Sequence, residues 1–204
     1  SDSPQKKPVS LPFVVCEKFL EARCPICFEN WDVNANRFAR TCCYKRVCKG
    51  CTLECGGTEG LCPLCRCPHP QGDKEVVAST RRHAENDNPV AMSHLAQWYA
   101  NGQYGLVKSH KKAVRLLQRA VELGDVYSMV ELGYLYANGK GVRLDKKKGA
   151  NYVRIAAERG YARAQCYFGI CFRDGDGVAQ DSVEAVCLYK LAANQGYTKA
   201  EHNL

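Results

Sequence analysis

The sequence predicts two parts of different architecture: a small cysteine-rich domain in the first third, followed by an all-α solenoid of helical hairpins. Eleven of the 14 cysteines lie between Cys16 and Cys67. From about Asp73 onward, helical patterns recur with a period of 36 residues, a length typical of helical solenoids. The cysteine cluster and the repeats therefore mark separate folding units.

The composition excludes several classes of protein. The chain has 204 residues, a formal net charge of +8, 46% hydrophobic residues and 25% charged residues, a balance typical of globular proteins rather than disordered or fibrous ones. No apolar run approaches the roughly 20 residues that span a bilayer, so we expect no direct membrane insertion. No secretory leader is visible, although the chain starts at Ser1 and a removed leader stays open. We expect reduced thiols and an intracellular location, cytoplasmic or nuclear.

Three cysteine pairs in the N-terminal cluster have the spacing of metal ligands. In each pair two residues separate the cysteines, which lets a tight turn aim both sulfurs at one tetrahedral ion with zinc–sulfur bonds of roughly 2.3 Å. Three such pairs close together favour zinc over disulfides or free thiols. The pairs are Cys24/Cys27, Cys48/Cys51 and Cys62/Cys65.

A fourth pair, Cys42 and Cys43, lies in the interval where a second tetrahedral ion needs it. The order of four pairs over residues 21–67 resembles a RING-type zinc finger. In that family the first and third pairs hold one zinc ion and the second and fourth hold the other, as a cross-brace. The resemblance implies two Zn²⁺, the first bound by Cys24, Cys27, Cys48 and Cys51, and the second by Cys43, Cys62 and Cys65 with one further ligand.

The fourth ligand of the second site departs from the family pattern. Most RING fingers place a histidine two residues after the third cysteine, where this chain has Lys45, which is protonated near neutral pH and a poor zinc ligand. Cys42 is the preferred substitute, although two adjacent cysteines on one ion demand an unusual turn. The alternatives are Cys55, Cys67 and His69.

The resemblance also implies a binding surface for a ubiquitin-conjugating enzyme. Ile26 matches the apolar residue that packs against that enzyme, Pro63 shapes the other half of the groove, and Arg66 matches the cation that touches both enzyme and ubiquitin. Ile26 could instead fill the small core of the finger, and Arg66 could be a solvated linker residue. No tryptophan lies between Cys51 and Cys62, where many active RING fingers carry one.

The remainder of the chain is built from repeated columns of residues. Equivalent positions recur at steps of 36 residues, and we expect these columns to form the core between helices. They are Gly124/Gly160/Gly196, Ala120/Ala156/Ala192, Leu117/Val153/Tyr189, Leu95/Leu132/Phe168 and Tyr99/Tyr136/Phe172. In the last two columns the first two members are 37 residues apart, because the first repeat has one extra residue near Gln103.

Each repeat predicts a pair of helices. Ser109, Asp145 and Asp181 lie where an N-cap would open the second helix, and Gly160 and Gly196 are expected to end second helices. The motif from Leu132 to Val142, with residues 156–160, resembles a Sel-one-like repeat, a short relative of the tetratricopeptide repeat.

The predicted organisation follows from these motifs. Residues 1–20 form a flexible leader, 21–67 the finger, and 68–87 a linker with one helix that seals the solenoid. Residues 88–124, 125–160 and 161–196 are Sel-one-like repeats, and 197–204 begin a truncated fourth, with Leu204 in the column of Leu132.

Residues of the repeats outside these columns predict no catalytic site. Cys166, Cys171 and Cys187 are expected to be small buried residues. The basic runs 81–82, 111–112 and 146–148 are expected to be solvated. We expect no nucleic-acid partner, because aromatic residues are not interleaved with these runs.

The leading functional hypothesis is a RING-type ubiquitin-protein ligase. Its finger would recruit a charged ubiquitin-conjugating enzyme and its repeats an unknown protein substrate or partner, with no covalent intermediate on this chain. The alternative is a non-catalytic zinc-binding adaptor, which Lys45 and the missing tryptophan favour.

Overall fold

The computed structural model describes residues 38–39, 46–47, 70 and 72–204. Two short strands, β1 (Phe38–Ala39) and β2 (Arg46–Val47), pair antiparallel with Phe38 opposite Val47 and Ala39 opposite Arg46. In sequence these strands flank Cys42 and Cys43, and Val47 directly precedes Cys48.

The described chain from residue 72 onward is a row of helices. They are α1 (Gly72–Glu85), α2 (Pro89–Asn101), α3 (His110–Glu122), α4 (Val126–Ala137), α5 (Lys146–Glu158), α6 (Ala162–Asp174), α7 (Ser182–Ala193) and α8 (Thr198–Glu201). The pairs α2–α3, α4–α5 and α6–α7 form antiparallel hairpins, and each hairpin packs on the next through α3–α4 and α5–α6. Helix α1 packs on α2, and α8 packs on α7. This arrangement confirms the predicted all-α solenoid.

The second helix of every hairpin opens on the predicted N-cap. The side chains of Ser109, Asp145 and Asp181 accept hydrogen bonds from the backbone N–H groups of the first turns of α3, α5 and α7. An N-cap satisfies one of the helix's unpaired donors and stabilises by about 1 kcal/mol. First helices use the same device less regularly, with side-chain caps at Asn88 and Asp125.

The predicted core columns lie between the helices. Ala120, Ala156 and Ala192 are all 0% exposed, so the helices approach closely at each repeat. Leu95, Leu132 and Phe168 are buried as well. In the aromatic column Tyr136 is buried, whereas its counterparts Tyr99 and Phe172 are half-buried at the edges of the core clusters.

Close helix contact in the second hairpin depends on two glycines. A Cβ at Gly133 would lie 2.7 Å from Val153 Cγ2 and 2.9 Å from the carbonyl oxygen of Gly149. A Cβ at Gly149 would in turn lie 2.7 Å from the carbonyl oxygen of Gly133. The first hairpin has Ala96 and Ala113 at these positions, both buried. The residue pair at this crossing therefore sets how closely each hairpin can pack.

One expectation needs correction. Cys166 and Cys171 are buried as predicted, but Cys187 is exposed because it lies on the outer face of α7, between the exposed Val186 and the buried Leu188.

The basic runs are solvated as predicted, because Arg81, Arg82, Lys111, Lys112 and the lysines at 146–148 are all exposed. Within the described part of the chain, no helix has the length and apolar character required to cross a bilayer.

Candidate binding groove

The first helices of successive hairpins line a groove, which we call the tyrosine groove. Its larger part has a volume of about 490 Å³ and lies on α4, α6 and α8. A smaller part of about 210 Å³ lies between α2, α4 and the start of α3. Glu131 and Tyr134 line both parts, so the two adjoin at these side chains. The larger part is lined by Val130, Glu131, Tyr134, Arg163, Cys166, Tyr167, Ile170, Tyr197, Lys199, His202 and Asn203.

Helical periodicity explains why these residues face the groove. Val130, Glu131 and Tyr134 lie at spacings of three and four on α4, which place them on one face of the helix. Leu132 lies on the opposite face and enters the core. The same division holds in α6, where Cys166, Tyr167 and Ile170 line the groove and Phe168 is buried.

An ion pair joins the second and third repeats across the groove. Arg163 NH2 lies 2.6 Å from Glu131 Oε1, with side chains 39% and 26% exposed. The Arg163 guanidinium also lies over the ring of Tyr127, 5.4 Å from its centroid. Burial, then the Glu131 carboxylate, raises the pKa of Tyr127. Burial alone would lower the pKa of Arg163, but Glu131 and Tyr127 raise it overall, so the guanidinium is charged at all ordinary pH values.

Two tyrosines form the apolar floor between α4 and α6. The rings of Tyr134 and Tyr167 have centroids 6.5 Å apart and are tilted by 53°. Burial raises the pKa of Tyr167 to about 12, so its phenol stays neutral and can both donate and accept hydrogen bonds. Lys140 Nζ donates to the Tyr134 hydroxyl at 3.1 Å and lies over the same ring. The groove thus offers aromatic surface with polar edges.

The cysteine that lines the groove, Cys166, is 3% exposed, and Asn203 Nδ2 donates to its sulfur at 3.5 Å. Burial raises the pKa of Cys166, which keeps it a thiol and a poor nucleophile. Among the described residues, no group of three or more His, Cys, Asp or Glu side chains could hold a metal ion.

The residues predicted for zinc and for the conjugating enzyme lie outside the described residues, so these predictions stay predictions. The set comprises Cys24, Cys27, Cys42, Cys43, Cys48, Cys51, Cys62, Cys65, Ile26, Pro63 and Arg66. The alternative ligands Cys55, Cys67 and His69, and Lys45, lie outside them too.

The sequence analysis missed the residues of the groove. Its signal is variation at positions that neighbour the constant core columns: Gln97, Tyr134 and Ile170 occupy one repeat position, and His94, Glu131 and Tyr167 occupy another. A core column stays apolar or aromatic because its packing partners repeat. A groove column can also change polarity, and here each of the two columns contains one tyrosine.

Comparison with known proteins places the repeats in one family. The family model described as "Sel1 repeat" matches residues 89–125, 126–161 and 162–197. Each unit begins one residue later than the sequence analysis predicted. No curated protein matches the chain significantly.

Solved structures show the same fold. The chain is similar to a Sel1 repeat protein from Oxalobacter formigenes, with 30% identity over 63% of this chain and 52% of that one, and a TM-score of 0.59. A protective antigen of uropathogenic Escherichia coli with an SLR fold is 31% identical over 63% of this chain and 27% of its own, with a TM-score of 0.60. Helicobacter pylori cysteine rich protein B, at 22% identity over 65% and 94% of the chains and a TM-score of 0.51, shows the fold alone. The chain thus spans about half the first protein's length and about a quarter of the second's.

Proposed function

Because the chain belongs to the Sel1 repeat family, we propose that its helical hairpins are a protein-interaction scaffold and that the tyrosine groove holds a segment of a partner protein. The observation that carries this proposal is the pair of adjoining cavities across α2, α4, α6 and α8. Because successive hairpins each contribute one helix to the groove, the groove runs along the row of repeats and suits an extended peptide, as in other solenoids.

The side chains of the groove favour peptide binding. Tyrosine supplies a large contact area with few rotatable bonds, so little conformational entropy is lost when a ligand immobilises it. Its hydroxyl also gives polar contacts at the end of an apolar ring. The Glu131–Arg163 pair bridges α4 and α6 and holds Arg163 in place before a ligand arrives. Such preorganisation reduces the entropic cost of binding.

A peptide library displayed on phage and selected on the full chain tests the groove. We expect selected peptides to bind the wild type and to lose at least tenfold in affinity for a Tyr134→Ala/Tyr167→Ala variant, because buried aromatic contacts dominate such interfaces. Val183→Ala is the matched control, since Val183 is 74% exposed on α7 and lies outside the groove. Peptides that bind the double variant as tightly as the wild type would exclude the groove.

For the N-terminal part we propose a RING-type finger with two Zn²⁺, which makes the chain a ubiquitin-protein ligase. The support is the order of four cysteine pairs in residues 24–65. Eight thiolates around two ions make closed tetrahedral sites, which are structural rather than catalytic. The finger would therefore act by holding a ubiquitin thioester, through Ile26, Pro63 and Arg66, near a lysine of the protein on the repeats.

Metal content and ubiquitin transfer test this part separately. We expect two zinc ions per chain by elemental analysis, and release of both by a strong chelator. With activating enzyme, ubiquitin and a panel of conjugating enzymes, the wild type should form ubiquitin chains and Ile26→Ala should form far fewer. A stoichiometry of one ion would refute the double site.

The alternative is a zinc-binding adaptor without ligase activity. Lys45 in place of the usual histidine and the absence of a tryptophan between Cys51 and Cys62 favour it. A zinc-loaded chain that forms no ubiquitin conjugates with any conjugating enzyme would leave the adaptor as the function.

A further inference from the structure

A set of cations lies on one edge of the first two hairpins, which we call the basic edge. Each of these side chains is exposed. The basic edge consists of Lys108, Lys111, Lys112, Lys140, Arg143, Lys147 and Lys148.

The fold brings these residues together although they come from separate segments. Lys111 and Lys112 lie in the first turn of α3, and Lys147 and Lys148 lie in the first turn of α5. Between them, the turn that follows α4 rests on the start of α3: a Cβ at Gly141 would lie 2.6 Å from the carbonyl carbon of His110. The turn that carries Lys140 and Arg143 therefore lies against the beginning of α3.

The first turns of α3 and α5 concentrate positive charge. The first turn of a helix already carries a partial positive charge, which favours acidic residues there over cations. Neither α3 nor α5 has an acidic residue in its first turn, although the N-cap of α5 is the carboxylate of Asp145, which accepts from the backbone N–H of Lys148. In the described part of the chain, the ion pair at this edge is Lys146 with Asp176, at 2.6 Å, and it involves none of the seven cations. The seven cations are therefore available to the carboxylates of a ligand.

The basic edge continues the tyrosine groove. Lys140 lines the smaller part of the groove and donates to the hydroxyl of Tyr134, which lines both parts. Inside the larger part, the one carboxylate, Glu131, is already paired with Arg163, whereas Lys199 has no carboxylate partner within the described residues. A ligand that leaves the groove toward the turns thus meets positive charge.

We propose that the partner segment is an acidic peptide, whose aromatic or aliphatic side chains lie in the tyrosine groove and whose carboxylates lie on the basic edge. This inference rests on the proposed function, since it specifies the chemistry of the segment that the groove holds. Charge complementarity of this kind accelerates association and selects among partners.

Two observations favour an acidic peptide over nucleic acid. The tyrosine rings at this edge are covered by ammonium groups, with Lys112 Nζ 5.2 Å from the centroid of Tyr99 and Lys148 Nζ 4.5 Å from that of Tyr136, so they do not present free faces for base stacking. The corresponding edge of the third hairpin carries carboxylates at 174, 176, 181 and 184. A long polyphosphate would be repelled there, whereas a short acidic segment fits within two hairpins.

The test measures fluorescence anisotropy of labelled peptides with the full chain. The probe has about 12 residues, with Asp and Glu flanking a central Leu-Phe pair, and the matched probe has Lys in place of every acid. We expect the acidic probe to bind and the basic probe not to bind. Raising the salt from about 50 to about 300 mM should weaken the acidic probe's affinity roughly tenfold, because salt screens exposed charges.

Charge reversal on the basic edge separates binding from folding. A Lys111→Glu/Lys147→Glu variant should bind the acidic probe at least tenfold more weakly, while its melting temperature stays equal or rises, since glutamate suits a helix N-terminus. Lys190→Glu, an exposed position of α7 outside the edge, is the control and should keep its affinity.

The possible outcomes distinguish this inference from the proposed function. If the groove double variant loses a phage-selected peptide but the charge-reversal variant binds the acidic probe normally, the groove stands and the acidic class is wrong. If poly(U) RNA binds more tightly than the acidic probe and displaces it, the edge is a nucleic-acid surface and the inference is overturned.

Discussion

Gly149→Ala is the substitution for which the structure makes the sharpest prediction. Glycine in a helix interior costs about 1 kcal/mol relative to alanine, so propensity alone predicts that the variant gains stability. The structure predicts the opposite. The added Cβ would lie 2.7 Å from the carbonyl oxygen of Gly133 and 3.1 Å from the backbone nitrogen of Ala137.

The magnitude follows from what must move. Overpacking a core costs about 1–3 kcal/mol, and here the obstructing atoms are backbone, which cannot rotate away, so we place the cost in the upper half of that range. After the propensity gain, we expect Gly149→Ala to lower the free energy of unfolding by about 1–2 kcal/mol. Urea unfolding followed by circular dichroism measures it.

A double-mutant cycle with Gly133→Ala makes the test specific. The first hairpin already carries Ala96 and Ala113 at these positions, so a hairpin with two methyl groups can form at a wider separation. Both methyl groups lie at the same crossing, so one increase in the distance between α4 and α5 relieves both contacts. The loss in free energy of unfolding for the double variant should therefore be smaller than the sum of the two single losses. Lys147→Ala, exposed in the same helix, controls for changes in helix propensity. A stabilised Gly149→Ala variant would refute the close-contact reasoning.

Three further predictions concern single side chains. The hydroxyl of Tyr189 is buried and has no hydrogen-bond partner among the described residues, so Tyr189→Phe should leave stability equal or raise it by about 1 kcal/mol; a clear loss in urea unfolding would reveal a hidden partner. Asp125 caps α4 and also accepts a hydrogen bond from the fully buried hydroxyl of Ser128 at 2.6 Å. Asp125→Ala should therefore lower the free energy of unfolding by about 2 kcal/mol, whereas Asp145→Ala, which removes a solvated cap, should lower it by about 1 kcal/mol. Equal losses for the two variants would contradict this prediction. Burial raises the pKa of Tyr167 from 10.0 to about 12. Because the phenol of the unfolded chain ionises first as the pH rises, the contribution of Tyr167 to stability is complete below pH 10 and is lost between about pH 10 and 12. The free energy of unfolding of Tyr167→Phe should therefore decline less steeply across that window than that of the wild type.

The helices of this protein could be predicted because their signals are local. An N-cap such as Asp145 acts on the backbone N–H groups a few residues ahead of it, and a core column such as Leu95, Leu132 and Phe168 repeats because the same contact repeats. The departure at Cys187 has a tertiary cause: cysteine is usually buried, but this position on α7 faces outward.

The candidate sites also differ in whether a local signal in the sequence predicts them. Cysteine spacing by itself predicts zinc, since two sulfurs three residues apart can reach one ion without help from the rest of the fold. The tyrosine groove has no such local signature. Tyr134 and Tyr167 are 33 residues apart in sequence and meet because α4 and α6 lie side by side.

What the sequence by itself determined, then, is the repeat period and the ends of most helices, because each depends on interactions within one or two helical turns. Only the tertiary structure decided which faces remain open. The Glu131–Arg163 pair, the tyrosine groove and the basic edge each combine residues from different hairpins. The stacking geometry of the hairpins, set by contacts such as Gly133 on Gly149 and Gly141 on His110, brings those residues together.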